Sequence, residues 1–259
     1  MISLKPDSAP QMNPPKVRYI YRKSGLAPFF WRAGRLILRC LGVQDVHDWP
    51  CWFGELCGID VPFPSGQPGR MAHILEKLRR AGNVPGAAAE CGVYQGASLI
   101  PIAYQAKKIM PSKRIYAFDS FAGFDDSVMS AIDQSGEKSS RKSIGGFGNT
   151  SIALVRSKLR AFGLEKDVQV IPGFFEESLR HLPSERFAFV FLDCDLYESY
   201  QICLEFFYPR MNPGAVMVFD EYDDPAWPGA RKAVDEFFLD KAEKPIVPKF
   251  PDRAYIVKV

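Results

Sequence analysis

Two short apolar runs, each ending in acidic residues, constrain the fold of this chain more than any other feature. They are Phe187–Leu192, which continues as Asp193-Cys194-Asp195, and Ala215–Phe219, which continues as Asp220-Glu221. Continuous apolar runs bounded by turn residues are typical of strands buried on both faces of a parallel sheet. A helix-patterned stretch, Tyr197–Tyr208, lies between them and predicts a right-handed strand–helix–strand unit. Both acidic pairs would then lie at the carboxyl edge of the sheet, where α/β folds bind ligands.

Four carboxylates at one sheet edge predict a cation site. Like charges this close repel each other strongly unless a cation or a proton lies between them. A ligand set made only of oxygen atoms favours Mg²⁺ or Ca²⁺ over zinc. An alternative is that some of these acids only cap helices. Asp195, for example, could cap the helix that begins near Tyr197.

A second ligand site is predicted after an earlier strand, Ala87–Cys91. The turn Gly92-Val93-Tyr94-Gln95-Gly96 leads from this strand into a helix that begins near Ala97, an arrangement that binds nucleotide-like ligands. The dinucleotide fingerprint G-x-G-x-x-G is absent, because Tyr94 stands where its second glycine would be. Asp119 follows the next predicted strand, Arg114–Phe118, where an acid suits ribose hydroxyls. With Glu90 facing a cation or hydroxyls, the pattern favours S-adenosylmethionine over a dinucleotide.

The chain is predicted to hold one α/β domain, residues 66–259, after an N-terminal extension of residues 1–65. Residues 121–149 have neither a helix nor a strand pattern and are interpreted as a lid, since loops this long are usually functional or disordered. Phe174 follows a third strand at the ligand edge, where it could flank a flat base. Further elements are expected as helices at Met71–Ala81, Thr150–Phe162 and Ala230–Leu239, and as strands at Val168–Ile171 and, antiparallel, at Arg253–Val259.

The N-terminal extension combines a Pro-rich start, an amphipathic stretch and an irregular aromatic segment at Asp48–Pro64. The amphipathic stretch, Phe29–Leu41, alternates apolar residues with three arginines at roughly helical spacing. It predicts a helix that packs on its own domain or across a homodimer. Contact with a membrane surface is the alternative.

Composition excludes several classes of protein. A length of 259 residues suits one large α/β domain, and a net charge of +3 without a long basic run argues against a nucleic-acid partner. No stretch approaches the roughly 20 apolar residues of a transmembrane helix. The first 16 residues lack the apolar core of a signal peptide. The six cysteines form no C-x-x-C pair, so a reducing, cytoplasmic setting is predicted.

Several motifs, in the order in which they occur, resemble the macrocin O-methyltransferase family, whose members methylate sugar hydroxyls in macrolide and related antibiotic pathways. They are ECGVYQGAS, AFDSFAGF, GFFEESL, FLDCDLYESY, FYPRMNPG and FDEYDDPAWPGARKAVDEF, and they cover about Asn83–Phe238. The resemblance implies a class I methyltransferase fold, which is Rossmann-like, with a mostly parallel seven-stranded sheet and helices on both faces. It also implies S-adenosylmethionine as the methyl donor and Mg²⁺ at the sheet edge.

The resemblance also implies roles for individual residues. Asp195 is the expected general base, and Asp193, Asp220 and Glu221 are the expected metal ligands. The predicted donor site comprises Glu90, Gly92, Val93, Gly96, Ser98, Asp119, Ser120, Phe174 and Asp193. Many members of the family have consecutive aspartates where this chain has Asp220-Glu221, and many have glycine where it has Cys194. The N-terminal third matches poorly, which leaves the acceptor open.

The sequence therefore predicts an Mg²⁺-dependent O-methyltransferase that acts on a hydroxyl of a sugar or another small molecule. Two alternatives differ in class. One is a non-catalytic or membrane-associated binding protein on the same scaffold, and the other is a different metal-dependent enzyme on the same fold. The three histidines (His47, His73 and His181) all lie away from the acidic edge, which argues against an iron site of two histidines and one carboxylate.

Overall fold

A six-stranded sheet positions every acidic residue discussed above. The computed structural model describes residues 68–124, 129–136, 146–182, 184–249 and 253–259. The strands are β1 Ala87–Cys91, β2 Ile115–Asp119, β3 Val168–Pro172, β4 Phe187–Leu192, β5 Met211–Phe219 and β6 Ala254–Val257. Their order is β3-β2-β1-β4-β5-β6; the first five are parallel, and β6 runs antiparallel to β5. All carboxyl ends of the parallel strands therefore meet at one edge.

Helices cover both faces of the sheet. They are α1 Pro68–Arg80, α2 Leu99–Ile109, α3 Ala131–Ser135, α4 Ile152–Ala161, α5 Phe175–Ser178, α6 Tyr197–Phe207 and α7 Pro228–Phe237. Residues of α1, α2 and α4 form one apolar cluster with Phe189 and Phe191 of β4, whereas α6 and α7 form a second with Val190 and Leu192. Successive side chains of β4 thus enter opposite layers, which explains why its sequence is continuously apolar.

The predicted fold class is confirmed, with one difference in strand number. The described residues contain six strands and not seven. Beyond β6, the described part of the chain adds to the ladder only a single bridge, between Ile246 and Tyr255. Pro245 and Pro248 lie on either side of Ile246-Val247, and because proline has no N–H to donate, neither can extend the pairing.

Two local features differ from the sequence-based expectations. The segment 121–149 was expected to contain no helix, yet α3 lies within it. Its start is stabilised by a capping box, in which Ser130 and Asp133 bind each other's backbone N–H groups. Strand β5 begins at Met211, ahead of the expected Ala215, and its pairing with β4 shifts register before Val216.

The predicted N-terminal extension, including the helix at 29–41 and the aromatic segment at 48–64, lies outside the described residues. Within the part of the chain that the structure covers, none of the helices combines the length and the apolar character needed to cross a membrane. Cys91, Cys194 and Cys203 are free and buried, as expected for cysteines in core elements.

Candidate active site

A cavity of about 580 Å³ lies at the carboxyl edge of the sheet. The predicted site residues that line it are Gly92, Val93, Ser98, Asp119, Ser120, Phe174, Asp193, Asp195, Asp220 and Glu221. Glu90 and Gly96 are not part of the lining. The structure therefore brings most of the predicted donor residues together with the predicted metal ligands and base around a single cavity.

Three carboxylates form an acidic cluster at one side of the cavity. Asp193, Asp220 and Glu221 each place one oxygen within 4.8 Å of the others. They meet because β4 and β5 are parallel neighbours whose last residues, Leu192 and Phe219, are paired, so that the acids follow at the same level. Three convergent oxygen ligands, two of them on buried side chains, fit a hard divalent cation such as Mg²⁺.

The charges within the acidic cluster interact strongly. Burial raises the pKa of Glu221 well above its usual value, and the negative charges of Asp193 and Asp195 raise it further. Two hydrogen-bond donors orient the Glu221 carboxylate. The Tyr200 hydroxyl donates to its Oε2 at 2.8 Å, and the Asp195 N–H lies 3.4 Å from the same atom. The Glu221 side chain, which is longer than the aspartate that many family members have here, is therefore held in one orientation.

Two arginines offset the charge of the acidic cluster, and sequence reasoning missed both. Arg70 of α1 forms an ion pair with Oδ2 of Asp220, and its guanidinium lies 3.6 Å from Asp193. Arg253, just before β6, donates to Oδ1 of Asp220 at 3.0 Å. Both arginines reach Asp220 through tertiary packing from distant parts of the chain, and no local motif marks either one.

Asp195 occupies a tight turn between β4 and α6. Its φ is +58°, and the Leu196 N–H donates to the Cys194 carbonyl across it at 2.6 Å. The alternative in which Asp195 caps the following helix does not hold: Leu196 is the N-cap residue, and the Tyr197 N–H donates to Oδ1 of Asp133. Asp195 instead lines the cavity.

The glycine turn and Asp119 are joined by backbone hydrogen bonds. Oδ2 of Asp119 accepts from the Tyr94 N–H and Oδ1 from the Phe121 N–H, each at 2.7 Å. Gly92 has a φ of +89°, and a Cβ there would lie 1.7 Å from the Asp193 carbonyl oxygen. Only glycine allows this approach, so the predicted donor turn and the first residue of the acidic cluster are in direct backbone contact.

Glu90 lies beneath the cavity and not in its wall. It is fully buried, and its Oε1 accepts a hydrogen bond of 2.5 Å from the Ser98 hydroxyl. Burial raises the pKa of Glu90 well above its usual value. Its Oε2 has no hydrogen-bond partner among the described residues. Glu90 therefore supports Ser98, which itself lines the cavity.

An aromatic wall, defined as Tyr94, Phe124, Phe147 and Trp227, closes another side of the cavity. Phe147 packs edge-on against Tyr94 at 5.3 Å and against Phe124 at 5.4 Å between ring centroids. Trp227 contacts Phe124 at 5.6 Å. These residues come from separate loops and share no local pattern, so the sequence alone did not identify them as a group.

Comparison with known proteins gives the family of the chain. Residues 67–247 match the macrocin-O-methyltransferase family. Mycinamicin III 3''-O-methyltransferase of Micromonospora griseorubida is 31% identical over 178 residues, which cover 64% of this chain and 65% of that protein. The 8-demethyl-8-(2,3-dimethoxy-alpha-L-rhamnosyl)-tetracenomycin-C 4'-O-methyltransferase of Streptomyces olivaceus is 32% identical over 195 residues, which cover 74% and 70%.

The solved structure of the O-methyltransferase NovP superposes with a TM-score of 0.57 at 27% identity, covering 71% of this chain and 79% of that one. Of the relatives matched by sequence, mycinamicin III 3''-O-methyltransferase is covered over slightly less than two thirds of its length. The sequence match and the structural similarity agree with the resemblance found in the motifs. The chain therefore belongs to the macrocin-O-methyltransferase family.

Proposed function

We propose that the protein is an O-methyltransferase that moves the methyl group of S-adenosylmethionine to a hydroxyl of a sugar-bearing natural product or another small molecule, with Mg²⁺ at the acidic cluster. One observation carries the proposal: a nucleoside-type turn and a cluster of three carboxylates face the same cavity. One matched relative is named for a rhamnosyl-bearing tetracenomycin and another for mycinamicin III, which supports a glycosylated acceptor.

The donor would bind at the Gly92–Gly96 turn, with its ribose at Asp119. Both Asp119 oxygens already accept one backbone N–H each. A carboxylate oxygen has two lone pairs, so each can accept a further bond from a ribose hydroxyl. Phe174 lines the cavity and is 38% exposed, which leaves apolar surface for a flat base to cover.

Asp193, Asp220 and Glu221 would hold Mg²⁺, which when bound would lower the pKa of an acceptor hydroxyl. Asp195 would accept the proton of that hydroxyl, because it lines the cavity two residues beyond Asp193. The aromatic wall would exclude water and orient the acceptor, and such positioning supplies much of the rate of a two-substrate reaction.

The proposal is tested on the purified full chain with S-adenosylmethionine and a panel of glycosylated acceptors. We expect donor binding in calorimetry, a mass increase of one methyl group on an acceptor hydroxyl, and loss of turnover with EDTA that added Mg²⁺ restores. Absence of donor binding would overturn the proposal. Donor binding without methylation of any acceptor would favour the binding-protein alternative, and EDTA-resistant turnover would remove Mg²⁺ from the reaction.

Several features remain predictions from the sequence. They are the homodimer, the cytoplasmic setting, the lid at 121–149 and the separate extension at 1–65. Light scattering of the full chain, compared with a chain shortened by residues 1–45, tests the first of these.

A further inference from the structure

The backbone at Asp195 adopts a conformation that its surroundings must maintain. A φ of +58° lies in the left-handed region, which residues other than glycine seldom adopt. The hydrogen bond from Leu196 N–H to the Cys194 carbonyl makes Asp195 the central residue of a γ-turn, and γ-turns of this hand are rare and strained. Strained conformations persist only where neighbouring contacts fix them.

Contacts fix the turn on both sides. Before it, the Asp193 N–H donates to the Cys91 carbonyl at 2.9 Å, continuing the ladder between β1 and β4. After it, the Tyr197 N–H at the start of α6 donates to Oδ1 of Asp133 at 3.0 Å. The N-cap residue Leu196 has no side-chain acceptor, so Asp133 performs from a distance the role that a capping side chain usually performs locally.

Burial and hydrogen bonds fix the position of Asp133. It belongs to α3 and is fully buried. Its second oxygen, Oδ2, accepts from the Ser130 N–H at 3.1 Å and from the Ser130 hydroxyl at 2.6 Å. One carboxylate therefore joins the starts of two helices, α3 and α6.

A third helix leaves room for this carboxylate. A Cβ at Gly229, in the first turn of α7, would lie 1.9 Å from Oδ1 of Asp133 and 2.9 Å from the Tyr197 Cβ. Any side chain at position 229 would therefore push Asp133 away from Tyr197. The close packing of α3, α6 and α7 therefore requires glycine at position 229.

We propose that Asp133 is a positioning residue for methyl transfer. By holding the start of α6 it fixes the turn that places Asp195 in the cavity wall. The inference rests on the proposed function, in which Asp195 is the base. Without the Asp133 oxygen, the half-buried Tyr197 N–H loses its acceptor and the turn can relax, which moves the base relative to the acceptor hydroxyl.

Four variants separate this role from simple stabilisation. Asp133→Ala removes the acceptor and should lower kcat by about 10², the usual effect of a small misplacement of a reacting group. Asp133→Asn keeps an oxygen for Tyr197 N–H and should restore most of kcat. Gly229→Ala should reproduce the loss by displacing Asp133. Ser130→Ala is the matched control, because it removes the hydroxyl that bonds Oδ2 and the backbone N–H of Asp133 and leaves the bond to Tyr197. Donor Kd and acceptor KM should stay near wild type throughout.

The decisive measurement is a double-mutant cycle in kcat between Asp133→Ala and Asp195→Asn. If Asp133 acts through Asp195, adding Asp133→Ala to Asp195→Asn should cause almost no further loss. An equal loss in both backgrounds would overturn the inference and leave the proposed function intact. A wild-type kcat for Asp195→Asn would instead overturn the base assignment, and this inference with it. Should Asp133→Ala not fold, the same cycle is measured with Gly229→Ala.

Discussion

The guanidinium of Arg70 pairs with the Asp220 carboxylate of the acidic cluster. It also lies 3.6 Å from Asp193, so that a positive charge from α1 reaches two of the three proposed metal ligands. Two cations at the same oxygens repel each other. Arg70 should therefore compete with Mg²⁺ for the acidic cluster.

We predict that Arg70→Met binds Mg²⁺ about tenfold more tightly than wild type, a change of about 1.4 kcal/mol in binding free energy. Calorimetric titration of the metal-free protein measures the effect. Arg79→Met, on the exposed side of the same helix, is the control and should bind as wild type does. Unchanged or weaker binding by Arg70→Met would show that the arginine does not compete with the metal.

Tyr200 should influence metal affinity through Glu221. Tyr200→Phe removes the hydroxyl that donates to Oε2 of Glu221 and keeps the ring. Loss of such a supporting bond usually weakens metal binding by about 10- to 100-fold. In a Glu221→Asp background the shorter carboxylate no longer reaches Tyr200, so the same change should have little effect. Equal effects in the two backgrounds would mean that Tyr200 does not act through Glu221.

Metal ligands and base should differ in metal titrations of turnover. Asp193→Asn and Asp220→Asn should weaken Mg²⁺ binding, and excess metal should restore part of their activity. Asp195→Asn should leave metal and donor affinity near wild type but lower kcat by about 10² to 10⁴, the usual contribution of a positioned base. Rescue of Asp195→Asn by excess Mg²⁺ would make Asp195 a metal ligand, contrary to this assignment.

Asp119 should contribute to donor affinity. We expect Asp119→Ala to weaken S-adenosylmethionine binding by at least about 1.5 kcal/mol, the low end for hydrogen bonds to a charged group. Because Asp119 also accepts the N–H groups of Tyr94 and Phe121, thermal unfolding is measured in parallel. Asp119→Asn retains one acceptor oxygen and should give an intermediate loss. An unchanged donor Kd for Asp119→Ala would exclude the ribose contact.

Glu90 should make stability depend on pH. Its folded-state pKa is raised by burial, so the folded protein binds the proton more tightly than the unfolded chain does. The resulting stability is fully present below the unfolded pKa of about 4.3 and is lost as pH rises toward the raised folded pKa. Glu90→Gln should therefore gain stability relative to wild type as pH increases. Denaturant unfolding from pH 4 upward tests this, with exposed Glu205→Gln as a control that shows no such trend.

The candidate-site residues that lie at strand ends could be predicted from the sequence. Asp119, Asp193 and Asp220 each lie at or just after the carboxyl end of a parallel strand, and apolar periodicity locates those ends without any tertiary information. Residues that reach the site through packing were missed. Arg70 and Tyr200 lie on helices whose rotation and placement depend on the assembled core.

Asp133 lies between these two groups, because one of its roles could be predicted from the sequence and the other depends on packing. The Ser130-x-x-Asp133 spacing is a capping-box signal that could have identified α3 within the segment interpreted as a loop. Nothing in that spacing indicates that the same carboxylate also accepts a hydrogen bond from Tyr197, because that contact depends on how three helices meet. The role of Asp133 as a cap of α3 could therefore be predicted from the sequence, whereas its hydrogen bond with Tyr197 could not.

The two prolines on either side of Ile246-Val247 have a consequence for self-association. An unpaired strand edge is a template for other chains, and proteins commonly protect such edges with proline. Among the residues that the structure describes, pairing beyond β6 is limited to one bridge, at Ile246 between Pro245 and Pro248, although Ile246 and Val247 are about half exposed. Replacing both prolines with β-branched residues would create a longer, apolar and hydrogen-bonding edge. The chain would then be more prone to aggregate at high concentration, with no change in the cavity.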